Sequence, residues 1–165
     1  MRGILLACVV SALLCLASAS MATERYGDFY YSGARADEFS DEPRDWIVTA
    51  DEAMSTALGW KCLYDGVNVF LGIGRFLGGD VDDEIKVRYR IDKNSPSQWR
   101  YWKLSQDHKA AFMPMDDVAS FTSASVRGNR IVIEAVDPLD GEVIRNHFSL
   151  RGLGVALGKL RCVGQ

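Results

Sequence analysis

The chain has 165 residues and a formal net charge of −3 at neutral pH. This length is sufficient for one ordinary domain after a short leader is removed. Mild acidity spread along the chain argues against nucleic acid as the main partner. After the leader, no apolar segment is long enough to cross a bilayer, so no transmembrane segment is predicted.

Residues 1–20 have the features of an export signal. Arg2 supplies the positive charge, residues 4–17 form an almost unbroken apolar run, and small residues follow. Cleavage is expected near Ala19 or Ala22, and the sequence leaves that choice open. A lipid anchor is a weaker alternative, because the leader cysteines lie in a poor context for a lipoprotein signal. The predicted location is therefore the periplasm or the medium.

Removal of the leader leaves two cysteines, Cys62 and Cys162. An even pair in an exported chain predicts a disulfide. It would close a loop of about 100 residues, for which chain entropy gives roughly 4 to 5 kcal/mol as an upper figure. His108 and His147 are isolated and lack ligand spacing. The sequence therefore predicts no metal site and no cofactor.

Residues 21–45 are polar and charged around an aromatic cluster at 29–31. This composition predicts a mobile N-terminal segment, in which the aromatic cluster could dock as a short strand. The pattern changes at Trp46, where apolar β-type runs begin. We therefore place a β-rich domain, closed by the disulfide, at residues 46–165.

Hairpin and strand signals follow in order through this domain. After a β-type run at 46–50, residues 55–73 indicate two strands joined at Asp65-Gly66, a dipeptide suited to a tight turn. Residues 84–92 alternate well, with apolar side chains on one face and basic ones on the other. A shorter strand with two tryptophans follows at 98–104.

The second half of the domain adds a helix and another hairpin. Residues 113–121 can open a short helix at Pro114, with acidic residues in its first turn. Residues 129–136 and 142–150 indicate a hairpin. With about seven or eight strands, the fold class predicted is mainly β. It would be a β-sandwich or a curled β-barrel-like domain with a short middle helix and a C-terminal helix.

The segment "FSLRGLGVALGKLRC", residues 148–162, has helical spacing but contains three glycines. A dinucleotide-binding loop is disfavoured because Gly158 falls one residue too late for the fingerprint. A membrane helix-dimer motif is disfavoured because charged residues end the apolar stretch too soon. Four leucines instead line one helical face, which predicts an amphipathic helix pinned at Cys162 to the strand that holds Cys62.

The order of these pieces resembles the type VI secretion-associated proteins of the VasI kind. The resemblance covers roughly residues 46–162 and consists of a cysteine-bearing hairpin, an "RID" strand followed by tryptophan and serine, and the leucine- and glycine-rich tail before a final cysteine. The matching positions are Cys62, Arg90, Ile91, Asp92, Trp102, Ser105, Phe148, Leu150, Gly152, Leu153, Ala156, Leu157 and Cys162.

Two departures from the family pattern stand out. Lys61 precedes the first cysteine where arginine is expected, and residues 163–165 replace a Gly-Trp ending. The resemblance implies an exported accessory protein on the envelope side, with a β-rich domain and no catalytic residues. The genomic setting, a bacterial secretion cluster or a phage-derived gene, stays open.

The best-supported function is binding of another protein in the cell envelope, without catalysis. Trp99, Tyr101 and Trp102 form a dense aromatic stretch interleaved with basic residues. On a strand, Trp99 and Tyr101 share one face, and one face is expected to enter the core. Arg88 and Arg90 lie on the basic face of the preceding strand. Aromatic residues and arginine are enriched at protein contacts, so these five residues are the predicted binding site.

Two other classes of function remain as alternatives. A small cell-wall or glycan-acting enzyme could use Asp92 with Asp116 or Asp117 as paired carboxylates. A carbohydrate-binding module could use the tryptophans.

Further chemistry is weakly indicated. The acidic run at residues 80–84 could bind calcium, although it lacks the regular spacing of a calcium loop. Ser105, Asp107 and His108 are close in sequence, but the members of a catalytic triad are placed by the fold, and close neighbours seldom meet correctly. A hydrolase built on them is therefore disfavoured.

Overall fold

The computed structural model describes residues 23–33, 38–78 and 83–163. The predicted leader at 1–20 lies outside these ranges. No helix within them is long and apolar enough to cross a bilayer. The described ranges contain ten strands and two helices, which are β1 Glu24–Tyr26, β2 Phe29–Ser32, β3 Trp46–Ala50, β4 Ala57–Leu63, β5 Gly66–Gly72, β6 Glu84–Ile91, β7 Arg100–Leu104, β8 Ala110–Phe112, α1 Met115–Val126, β9 Arg130–Val136, β10 Val143–Ser149 and α2 Leu153–Leu157.

All ten strands belong to one antiparallel sheet, in the order β1-β2-β3-β4-β5-β8-β7-β6-β9-β10. The sheet curls so that its two ends approach each other without closing. Near the gap between these two ends, the Asp28 N–H donates to the Arg151 carbonyl at 2.9 Å, and the two side chains form an ion pair at 2.7 Å. The prediction of a mainly β, curled domain is confirmed.

Connectivity places β6 in the middle of the second half of the sheet. Strands β6, β7 and β8 form an antiparallel meander. Its last strand, β8, pairs with β5, so the chain returns to the middle of the sheet. Helix α1 then carries the chain across to β9, which pairs with the other side of β6. β6 thus brings the basic residues near 88 beside strands that lie about 45 residues later in the chain.

The core lies inside the curl, where α1 packs on the sheet. Phe121 of α1 stacks on Trp60 with ring centroids 5.8 Å apart and meets Tyr89 edge-on at 4.8 Å. The Trp60 indole N–H donates to the Thr122 hydroxyl at 2.8 Å, so this buried donor is satisfied. The middle helix is confirmed, and Pro114 is its N-cap residue.

Both predicted hairpins are present. Tyr64 and Asp65 form the turn between β4 and β5, one position earlier than the predicted Asp65-Gly66, and Gly66 begins β5 opposite Leu63 with φ of 111°. β9 and β10 form the second hairpin. Two short strands were not predicted, β1 and β8. Residues 24–32, in the segment predicted to be mobile, form the hairpin β1–β2. Phe29 there is fully buried against Trp60, so the sheet begins well before Trp46.

The C-terminal segment contains less helix than its leucine spacing predicts. Only residues 153–157 are helical, because Gly152 takes φ of 92° and turns the chain beside the Tyr26 carbonyl. All four leucines are nevertheless buried, which explains the pattern: Leu150, Leu153, Leu157 and Leu160. The predicted disulfide is confirmed, with Cys62 and Cys162 Cα atoms 5.8 Å apart.

An ion pair reinforces the disulfide. The Asp45 carboxylate is fully buried and accepts hydrogen bonds from the Arg161 guanidinium at 2.6 and 2.8 Å and from the Arg161 N–H at 3.1 Å. The Asp45 carbonyl also accepts the Cys62 N–H at 2.8 Å. Burial opposes ionisation of Asp45, but the Arg161 hydrogen bonds outweigh it and lower its pKa. These contacts fasten the chain terminus to β4.

Candidate functional site

The candidate site is the outer face of strands β7, β6, β9 and β10, which we call the cation–aromatic face. Along β6, Ile85 and Val87 point into the core, so Lys86, Arg88 and Arg90 point away from it. The alternation predicted for this strand thus decides which side becomes basic.

Strands β9 and β10 extend the basic side. The outward positions of β6, β9 and β10 carry five cations and two carboxylates, an excess of three positive charges on a chain whose net charge is −3. The cations are Lys86, Arg88, Arg90, Arg130 and Arg145, and the carboxylates are Glu84 and Glu134. Charge is therefore segregated, and this face presents positive potential.

Glu134 lies at the centre of the face and orders two arginines. The strand register places Arg88, Glu134 and Arg145 side by side. Arg88 donates to Glu134 at 2.5 Å, and Arg145 donates to its other carboxylate oxygen at 2.7 Å. The Arg88 hydrogen bond lowers the pKa of Glu134; burial opposes this, and Arg145 adds to it. Two guanidiniums share one carboxylate, which leaves net positive charge.

The aromatic residues border this row of charges. The Arg88 guanidinium lies 4.4 Å from the centre of the Trp99 ring, and the Lys86 ammonium lies 5.5 Å from that of Tyr101. Trp99 is 40% exposed and Tyr101 48% exposed. These cation–π contacts hold the rings against the sheet while leaving much of their surface accessible. Arg88 is thus held between an aromatic ring and a carboxylate.

Four of the five residues predicted for binding lie on this face, and one does not. Trp102 is only 1% exposed and belongs to the core. Side chains along β7 alternate between the two faces of the sheet, and because Tyr101 points outward, Trp102 points inward. Trp102 is therefore not available as a surface contact. Arg100 of the same strand forms an ion pair with Asp117 of α1 at 2.9 Å.

Two open grooves cross the face. One of about 280 Å³ is lined by Arg88, Arg90, Glu134 and Arg145. The other, of about 670 Å³, lies beyond Arg90 and is lined by further basic side chains, namely Lys93, Arg130 and His147. Both are shallow, so the face fits the surface of a macromolecule better than an enclosed small ligand.

The structure separates the carboxylates of the glycosidase alternative. Asp92 accepts the backbone N–H groups of Asn129 and Arg130 and lies beside Gly128, just past the end of α1. Asp117 is in the first turn of the same helix. A helix rises 1.5 Å per residue, which puts the backbones of Asp116 and Asp117 about 16 to 18 Å along the axis from Gly128, beside which the Asp92 carboxylate lies. Glycosidase pairs need roughly 5 to 9.5 Å between carboxylates.

The Ser105–His108 segment forms a turn. The Ser105 hydroxyl donates to Asp107 at 2.6 Å and accepts the Ala110 N–H at 3.0 Å. The His108 ring stacks on Phe76, with Nδ1 3.0 Å from the Leu77 carbonyl. Serine and histidine therefore have separate partners.

Nor do the described residues contain a group of three or more potential metal ligands. Of the acidic run proposed for calcium, Asp80 and Asp82 lie outside the described residues.

Sequence reasoning missed Glu134, Arg130 and Arg145 as members of the site. The alternation of their strands places them on a polar side. Their proximity to Arg88 depends on the pairing of β6 with β9, which no local pattern reveals.

Comparisons with known proteins find a solved structure with a similar fold. No family model matches the chain, and no curated protein does. The structure is similar to the crystal structure of invasion associated protein B from Bartonella henselae, with a TM-score of 0.56 and 14% sequence identity. The match covers 84% of this chain and 95% of that one. At this identity the likeness concerns the fold alone.

Proposed function

We propose that this protein is an exported accessory protein of the bacterial cell envelope, periplasmic or secreted, which binds another protein through the cation–aromatic face. The disulfide supports export, because such bonds persist in oxidising compartments. The leader-like N-terminus supports it as well. The resemblance to VasI-like proteins favours a role beside a type VI secretion system, and the name of the similar solved structure, an invasion associated protein, is compatible with an accessory role.

The observation that carries the proposal is the ordered arginine–aromatic pair on an exposed sheet face. Arg88 is held between Trp99 and Glu134 before any partner arrives. A side chain that is already ordered loses little entropy on binding. Tryptophan, tyrosine and arginine are the residue types enriched at interface hot spots. Binding is favoured over catalysis because the candidate carboxylates are far apart.

The test is capture of envelope proteins by the exported, tagged protein, followed by affinity measurement with the purified partner. Arg88→Gln and Trp99→Ala are expected to weaken binding by about tenfold or more, as hot-spot truncations do. Tyr64→Ala is the matched control, because it removes an 82% exposed ring from the β4–β5 turn. Equal affinity of all variants would place the contact elsewhere, and absence of any partner would refute the function.

A further inference from the structure

The two edges of the sheet differ in how they are protected. β1 is three residues long and packs against α2. β10 has seven residues, contains no proline and, among the strands of the described ranges, pairs with β9 alone. An uncovered edge strand of this length presents backbone donors and acceptors that can pair with another chain. The β10 edge borders the cation–aromatic face, since Arg145 and His147 are on this strand.

Hydrogen bonds at both ends of the β9–β10 hairpin show which backbone groups face outward. The Asp137 N–H donates to the Glu142 carbonyl, and the Leu150 N–H donates to the Asn129 carbonyl, both at 2.9 Å. Because antiparallel pairs alternate, residues 144, 146 and 148 bond to β9. The N–H and C=O groups of Val143, Arg145 and His147 point to the open side.

These outward groups have no backbone partner among the described residues. Among the described residues, the other end of the sheet comes close to β10 at two places. One is past Ser149, where Arg151 meets Asp28, and the other is at the C-terminal end of β10, where Thr49 and Ala50 of β3 line a groove together with His147. A groove of about 450 Å³ separates this part of β10 from the opposite end of the sheet. The edge at Val143 and Arg145 lies away from the β3 approach and is open to an added strand, which would run into the groove at His147.

Charge selects the kind of strand. The Arg130 guanidinium lies 3.4 Å from His147 Nδ1, and Arg145 shares Glu134 with Arg88. If the β10 strands of two copies paired antiparallel with Arg145 at the centre, the two Arg145 side chains would lie opposite each other. Like charges in that position are unfavourable. Acidic side chains on the added strand would instead meet cations. The opposite wall is acidic at Asp51 and Glu52 and would repel carboxylates, so an acidic strand finds its cations only along the β10 side.

We propose that an extended, acidic segment of the protein partner adds to the free edge of β10 as a further strand. Its backbone pairs with Val143, Arg145 and His147, and its outward carboxylates contact Arg145 and Arg130. This mode of recognition gives affinity through main-chain hydrogen bonds and selectivity through alternate side chains. The inference rests on the proposed function, because it names how the partner of the cation–aromatic face docks.

The first experiment uses a fluorescein-labelled peptide of alternating glutamate and valine and the full mature protein. Fluorescence anisotropy is expected to show binding that weakens with salt. A lysine–valine peptide is expected not to bind. The same acidic peptide with alternate backbone nitrogens methylated keeps its charge but loses donors, and is expected to bind at least about tenfold more weakly. Equal binding of the methylated peptide, or none by the acidic one, would overturn strand addition.

Amide hydrogen exchange locates the contact. With the acidic peptide at saturation, the Arg145 and His147 amides are expected to exchange about tenfold more slowly, since they gain partners. The amides of Ile144 and Asn146 already bond to β9 and serve as internal controls. Unchanged exchange at Arg145 and His147 would refute the proposal.

Variants at one position separate charge from backbone pairing. Arg145→Ala removes the cation, and Arg145→Pro also removes the outward N–H, which an edge strand tolerates. Arg145→Pro is expected to bind the peptide about fivefold more weakly than Arg145→Ala, with circular dichroism unchanged. Equal affinities would contradict edge pairing.

Capture of the native partner distinguishes the two proposals. If the Arg88→Gln variant no longer captures the native partner but the Arg145→Pro variant still captures it, the edge inference is overturned and the proposed function stands. Failure to capture any partner would refute the function itself, even if the peptide binds β10.

Discussion

Loss of the Asp45–Arg161 ion pair is expected to weaken the closure of the chain terminus. Asp45 is fully buried, whereas the Arg161 side chain is 50% exposed. Arg161→Ala leaves the Asp45 carboxylate with the backbone N–H of residue 161 and the Tyr31 hydroxyl but without the guanidinium. Asp45→Asn keeps the shape and removes the charge that the guanidinium binds.

The expected cost lies below that of a fully buried pair. Removal of one partner of a buried pair costs about 3 to 5 kcal/mol. Because half of the Arg161 side chain reaches water, we expect about 2 to 3 kcal/mol for Arg161→Ala. For a domain of this size, that corresponds to a fall of about 5 to 10 °C in Tm.

The pH dependence has a defined sign. The folded-state pKa of Asp45 is lowered, so its ionised form stabilises the fold above the unfolded pKa of about 4, and this contribution is lost as pH falls through the folded value. The difference in unfolding free energy between the parent protein and Asp45→Asn is therefore expected to begin to shrink near about pH 5 and to go on shrinking as the pH falls below about 4.

Urea unfolding followed by circular dichroism, with the disulfide intact, measures these effects. Arg151→Ala is the control, because the Arg151 side chain is 75% exposed and its Asp28 partner is not fully buried, so this variant is expected to lose less stability than Arg161→Ala. A loss below 1 kcal/mol for Arg161→Ala, or an unchanged difference across the acid range, would refute the view of this pair as a buried clamp.

Three further predictions concern stability. Reduction of Cys62–Cys162 is expected to lower the unfolding free energy by about 2 to 4 kcal/mol, measured by denaturation with and without reductant; a change under about 1 kcal/mol would contradict the long-loop argument. Phe121→Ala is expected to cost about 3 to 4 kcal/mol in the same assay because this ring fills the centre of the core, and a cost near zero would mean that α1 packs elsewhere. Gly152→Ala is expected to lower Tm more than Gly141→Ala, since both have positive φ but only Gly152 adjoins a carbonyl; equal melting curves would count against the close approach.

Local patterns predicted much of the fold. The alternation at residues 84–92, the β4–β5 hairpin and the helix start at Pro114 each depend on neighbours a few residues away, and each is present, with the hairpin turn one residue earlier than predicted. The short strand β8 was not predicted, because three residues are too few to show an alternation of apolar and polar side chains. β1 was not predicted, because its sequence is polar and the β1–β2 hairpin is ordered by contacts with residues far away in the chain.

The candidate site was predicted only in part, for the same reason. The sequence placed Arg88, Arg90 and the aromatic stretch on strands. It left open which face of β7 is buried, and Trp102 proved to be the core residue. Glu134, which orders Arg88, comes 46 residues later and becomes its neighbour only through the β6–β9 pairing.

The sequence by itself thus determined the β-rich class, the two hairpins, the middle helix and the disulfide pair, because periodicity, turn chemistry and cysteine count are local or compositional properties. Tertiary structure alone decided the order of strands, the curl that buries Phe29, and the assembly of Arg88, Glu134 and Arg145 into one row. It also decided that β10 is the last strand of the sheet in the described ranges, while α2 packs on β1 at the other end. These features depend on contacts between residues far apart in the chain, and such contacts leave no signal in a short window of sequence.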